Sequence, residues 1–162
     1  MSSIIKVDQI QLANGSTPTA GDLGLNITGA VLQIVSQNLT TGYISTTSST
    51  PVSTGHSATI TPSSASSKIL VIVSCSGFNT SAGRSYKLRL ERNGTQIQGH
   101  NLGDSSTGTL AMSNSIVHLD SPATTNAVTY EMFYGTDGDG TAYYNYNNAF
   151  GGDTITLVEI AG

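Results

Sequence analysis

The apolar residues of this chain fall in short alternating or β-branched runs separated by Gly, Asn, Pro and Ser, and that spacing is the strongest constraint on its fold. In residues 85–92, Tyr86, Leu88 and Leu90 point one way while Lys87, Arg89 and Glu91 point the other. In residues 127–134, Val128, Tyr130 and Met132 share a face against Thr129 and Glu131. Residues 68–77 are apolar on both faces, the pattern of a central strand covered on both sides. Asn93-Gly94 is a two-residue hairpin signal, with residues 95–100 returning antiparallel. Further strands are expected at 30–35, 43–52, 58–61, 107–112, 115–119, 142–147 and 154–160, with a turn at 137–140. No eleven-residue window carries a 3.6-residue period. Roughly eight to eleven short strands at about ten-residue spacing predict an all-β fold, an antiparallel β-sandwich or jelly roll.

The N-terminal stretch reads differently. Residues 1–12 alternate loosely through Ile5, Val7, Ile10 and Leu12, and the phase slips at Asp8-Gln9. Asn14-Gly15 and residues 18–24 read as turn and linker. Residues 1–28 are therefore expected to form a short extended attachment arm and residues 29–162 the sandwich domain. Cys75 is the sole cysteine and lies in a β-branched run, so a buried, inert thiol and no intramolecular disulfide are expected.

Composition narrows the function classes. Only 10% of the 162 residues are charged, against about 25% in ordinary soluble domains. Hydroxyls and amides must cover the surface, and such a surface is poorly repelled from copies of itself. This points towards assembly. Net charge is −4 with six basic residues, too little positive field for a nucleic-acid partner. Arg84, Lys87, Arg89 and Arg92 do cluster; a solvated strand face is the preferred reading over an anion site. The longest unbroken apolar stretch, residues 69–73, is far too short for membrane insertion. Met1-Ser-Ser-Ile-Ile-Lys lacks the pattern of a secretory leader, so a soluble product of a reducing compartment is expected.

The vocabulary of catalysis is thin. His56, His100 and His118 share no ligand spacing, so they are read as surface or edge histidines and no metal site is expected. Asp137-Gly-Asp-Gly140 is similar to the opening of a calcium loop, but position twelve is Asn148, and a tight acidic turn is preferred. There is no Gly-x-Ser-x-Gly elbow and no phosphate loop. The expectation is a non-enzyme without catalytic residues or cofactor. The segment Tyr143-Tyr-Asn-Tyr-Asn-Asn148 has two readings. In one, Tyr143, Tyr144, Tyr146 and Asn147 form an exposed contact for a host-surface glycan or protein. In the other, its tyrosines alternate into a core or a subunit interface.

Several segments resemble small virion proteins of tailed phages, particularly marine and cyanobacterial ones. They are the opening Ile5-Lys-Val-Asp-Gln-Ile-Gln-Leu-Ala-Asn-Gly15, the stretch Ala58-Thr-Ile-Thr-Pro-Ser-Ser-Ala-Ser-Ser-Lys-Ile-Leu-Val71, Glu91-Arg-Asn-Gly-Thr95, Asp120-Ser-Pro122 and Thr154-Ile-Thr-Leu-Val-Glu-Ile-Ala161. The resemblance implies a virion structural protein of tail-fibre or receptor-binding type, made in the host cytoplasm, with a homotrimeric β-sandwich head. Its implied partners are its own copies, other tail or capsid proteins and the host surface. Ile5, Val7, Ile10 and Leu12 are the arm residues that would dock by strand addition. The alternative within the same resemblance is a capsid decoration protein, a head fibre or cement. A soluble lectin or glycan hydrolase is a third reading from another class.

Overall fold

The computed structural model of the protein describes residues 10–18, 28–82, 84–102, 111–146 and 152–162, and every regular element among them is a strand. The strands are β1 (Val31–Leu39), β2 (Ile44–Thr46), β3 (Val52–Ile60), β4 (Lys68–Asn79), β5 (Tyr86–Arg92), β6 (Thr95–Leu102), β7 (Met112–Asp120), β8 (Val128–Thr136), β9 (Ala142–Tyr144) and β10 (Asp153–Ile160). They form two antiparallel sheets.

The first sheet runs β1-β10-β4, with β7 on the far side of β4. Short β9 and β2 continue it past the ends of β10 and β1. The second sheet runs β3-β8-β5-β6. If β1 with β2, and β9 with β10, are each taken as one interrupted strand, the pairings nest: first with last, β3 with β8, β4 with β7, β5 with β6. That is one long hairpin ribbon wrapped into two sheets, the topology of a jelly roll. Its tip is the Asn93-Gly94 turn, where φ is +48° and +79°, as a tight hairpin turn demands of both central residues.

Alternation places one face of each strand in the core. Ile69, Val71, Val73, Ile116, Ile155 and Leu157 from the first sheet meet Ile60, Leu88, Leu90, Val128, Tyr130 and Met132 from the second, all buried. Cys75 is buried among them, and desolvation pushes its thiol well up, consistent with an inert group.

Two carboxylates lock the ribbon. Glu159 on β10 is fully buried; its Oε1 accepts from the backbone N–H and hydroxyl of Ser63, both at 2.7 Å, and its Oε2 from Gln33 Nε2 at 2.6 Å. Asp120, at the end of β7, accepts from Arg92 Nη1 on both oxygens at 2.8 Å and from Tyr130 Oη on Oδ2 at 2.7 Å, which ties the two sheets together. Residues 58–71 thus meet 154–161, and residues 91–95 meet 120–122, as structural contacts.

The structure corrects several expectations. The strand expected at 43–52 is two elements, β2 and the start of β3, with a polar loop between them whose Ser48 O accepts from Thr136 N–H of β8 at 2.9 Å. The strand expected at 107–112 falls mostly outside the described residues; Met112 opens β7. Strand β4 is central as expected, but the described chain covers only one of its faces. Of the arm residues, Ile5 and Val7 lie outside the described residues. Ile10 is exposed and Leu12 half-buried, next to a turn in which Gly15 N–H donates to Leu12 O at 2.8 Å.

Candidate functional site: the outer face of the first sheet

The uncovered face of β4 belongs to a continuous surface. The register sets Ile34, Val158, Leu70 and Leu119 in one row across four strands. The next row is Ser36, Thr156, Ile72 and Val117, and the row beyond is Asn38, Thr154, Ser74 and Ser115. Val31 pairs with Ile160 at the opposite margin. Ile34 and Val117 are each 63% exposed, Val31 58% and Leu119 52%. Strand propensity alone explains a lone β-branched residue facing water, but an aligned band of them is an uncovered apolar surface. Beside it the hydroxyl rows hydrogen-bond within the sheet, as Ser36 with Thr156 at 3.0 Å.

At the far end of the same face sits an aromatic cluster. Phe78 and Tyr143 stack at 4.6 Å between centroids, Tyr43 meets Tyr143 edge-on at 5.6 Å, and Tyr146 meets Phe78 edge-on at 4.9 Å. Tyr43 and Tyr146 are exposed. The register explains the grouping, because Phe78 pairs with Tyr143 and Tyr143 with Ser45. Tyr43 and Phe78, which sequence reasoning passed over, complete a surface that began from Tyr143 and Tyr146.

Tyr144 does not belong to that surface. It is fully buried, and adjacent strand residues must point to opposite faces. This corrects the reading of Tyr143 and Tyr144 as one exposed contact; the alternation itself carried the signal. Tyr144 Oη lies 2.8 Å from His56 Nδ1, and His56 Nε2 lies 3.2 Å from Gln37 O. A carbonyl only accepts, so Nε2 carries the proton and donates, and Nδ1 accepts from the tyrosine. His56 is therefore a satisfied core histidine, not a surface one. It lies in phase with inward-facing Ala58 and Ile60, which is where the sequence held that information. Desolvation lowers its pKa, opposed by the Gln37 hydrogen bond.

Asn145, in the middle of the Tyr/Asn segment, is also buried. Its amide donates to Leu39 O at 3.2 Å and Thr41 O at 2.6 Å, and its Oδ1 accepts from Asp153 N–H at 2.9 Å, bridging the interruptions in both split strands. Asn147 lies outside the described residues. The basic cluster is dispersed: Arg84 pairs with Asp139 at 3.3 Å, Arg89 with Glu91 at 2.5 Å and Arg92 with Asp120. In the acidic turn, Asp137 Oδ1 accepts from Ser85 N–H at 2.9 Å. Among the described residues, no group of three or more His, Cys, Asp or Glu converges as metal ligands.

No family model matches the chain, and no curated protein matches it. Solved structures do. One of infectious bursal disease virus, Gx strain, is 15% identical with a TM-score of 0.41, over 80% of this chain and 37% of the other. The VP2 subviral particle of the same virus gives 15% identity and a TM-score of 0.39, over 80% and 37%. Dimeric latent PorU of Porphyromonas gingivalis gives 11% and 0.41, over 83% and 14%. The chain thus spans well under half of the structures it is similar to.

Proposed function

We propose that this chain is a virion structural protein of the fibre or receptor-binding type. In this reading it is not an enzyme, it assembles with its own copies as a homotrimer, and residues 1–28 attach it to other virion proteins. The observation that carries the reading is the apolar band of Val31, Ile34, Val117 and Leu119 on an otherwise low-charge jelly roll. Contiguous exposed apolar surface of this kind marks interaction sites. The rows that contain Ile34 and Ser36 hold no charged residue that would repel a second copy, and Lys68 stands at the Val31–Ile160 margin. The ordered resemblance to phage virion proteins supplies the setting.

A specific observation also favours the capsid-decoration alternative. The band lies on one open sheet face, which suits a larger, flat partner as well as a sister subunit. Native mass measurement tests self-assembly. The wild type is expected to be trimeric and Val117→Lys/Leu119→Lys monomeric with unchanged melting; a monomeric wild type at micromolar concentration refutes it. Imaging of particles carrying a label on this chain separates fibre from decoration, because a label confined to the capsid lattice excludes the fibre reading.

A further inference from the structure

The opposite sheet carries a hollow of different chemistry. On its outer face Arg89 of β5 pairs with Gly99 of β6 on one side and Phe133 of β8 on the other, and Lys87 pairs with Asn101 and Gly135. Gly99 contributes no side chain, which leaves an open floor beside Arg89. The resulting hollow of about 410 Å³ is bounded by Pro51, Lys87, Arg89, Gln96 and Asn101, within the roughly 300–1,000 Å³ of small-molecule sites. A Cβ added at Gly99 would come within 3.0 Å of Gln96 Nε2, so the Gln96 amide lies over that floor.

The walls are not equivalent electrostatically. Arg89 is held in place by Glu91 and by the Phe133 ring, whose centroid is 5.1 Å from its guanidinium carbon, so its charge is already shared. Lys87 Nζ donates only to the carbonyl of Ser49, at 3.1 Å, and has no carboxylate partner among the described residues. The hollow therefore offers one uncompensated cation, two side-chain amides and the apolar ring of Pro51; His100 also lines it, with its Nε2 engaged by Gln98 Nε2 at 3.2 Å. A phosphate dianion would leave one of its charges unmatched, since Lys87 is the one lining cation without a carboxylate partner among the described residues. One negative charge among several hydroxyls matches this set better.

We propose that this hollow binds an acidic saccharide of the hexuronate class. Lys87 takes the carboxylate, the Gln96 and Asn101 amides take ring hydroxyls, and Pro51 packs against the C–H face of the sugar. The assignment adds a ligand class to the attachment role and rests on that reading only for its biological setting. The hollow lies on the sheet opposite the apolar band, so assembly through that band would not use its lining residues.

The test titrates the full-length protein with a soluble oligogalacturonate by calorimetry, with neutral galacto-oligosaccharide and inorganic phosphate as comparisons. Saturable binding of the uronate is expected. It should weaken at least about tenfold in Lys87→Met and in Gly99→Leu, and remain unchanged in Ser64→Ala, in the loop ahead of β4. No uronate binding, unchanged binding in Gly99→Leu, equal binding of the neutral sugar or displacement by phosphate overturns the proposal. Should Gly99→Leu fail to fold, Gln96→Ala/Asn101→Ala carries the same prediction. None of these outcomes bears on the native-mass test, so the two readings fail separately.

Discussion

Glu159 and His56 shape the pH response, and buried Asp153, whose carboxyl desolvation raises above its ordinary 3.8, opposes Glu159 in the acidic range. Burial alone would raise the pKa of Glu159, but the hydrogen bonds from Ser63 and Gln33 outweigh it and hold the carboxyl below its ordinary 4.5. A depressed acid stabilises the fold fully above its unfolded value and loses that contribution as pH falls through the folded one. Glu159→Gln should cost about 2 kcal/mol at neutral pH and flatten the loss of urea midpoint below pH 4.5. His56 acts in a higher window. Burial lowers its pKa from 6.5, so the unfolded chain takes up the proton first and stability falls as pH drops below 6.5. His56→Gln should remove that slope in urea titrations. Tyr144→Phe should cost about 1–2 kcal/mol by stranding Nδ1, and a cost near zero would contradict the His56–Tyr144 hydrogen bond.

The elements show what periodicity can and cannot reveal. Strands β5 and β8 were legible because Tyr86, Leu88 and Leu90, and Val128, Tyr130 and Met132, alternate against polar neighbours, and all six are buried. A break between the strands expected at 30–35 and 43–52 was legible, but the contact that bridges it was not. That contact is the buried Asn145 amide holding Leu39 O and Thr41 O, more than a hundred residues away in sequence. The aromatic surface was half legible: Tyr143 and Tyr146 stood out by composition, whereas Tyr43 and Phe78 join them only through β-pairing. Two glycines make element-scale predictions. Gly94→Ala should cost about 1 kcal/mol, since its φ of +79° strains any side chain. Gly77→Ala should be far worse, above roughly 3 kcal/mol, because its Cβ would stand 2.3 Å from Tyr143 O and 2.6 Å from Tyr86 Cζ. Chemical denaturation of both variants checks the ranking.

For the whole molecule, the jelly roll separates two outward faces, one apolar and one polar, around a single core. Removing residues 1–28 leaves every described strand intact. That truncation is expected to melt within a few degrees of the full chain while failing to enter particles; an unfolded product would make the arm part of the core. The fold class was readable because nested antiparallel pairing needs only short alternating strands and turn signals. The apolar face was not, because 68–77 looks the same whether a second layer comes from its own chain or from another. The contact between Glu159, Gln33 and Ser63 has a further, mechanical consequence. Ala161 and Gly29–Ala30 exchange hydrogen bonds of 2.8 Å just ahead of the β1–β10 pair. A pull on the chain before residue 28 would therefore load that antiparallel pair one rung at a time, as a zipper is opened. Gln33 is bonded to the buried carboxylate only a few residues in. It is the first side-chain latch such a force would have to break before β1 peels away.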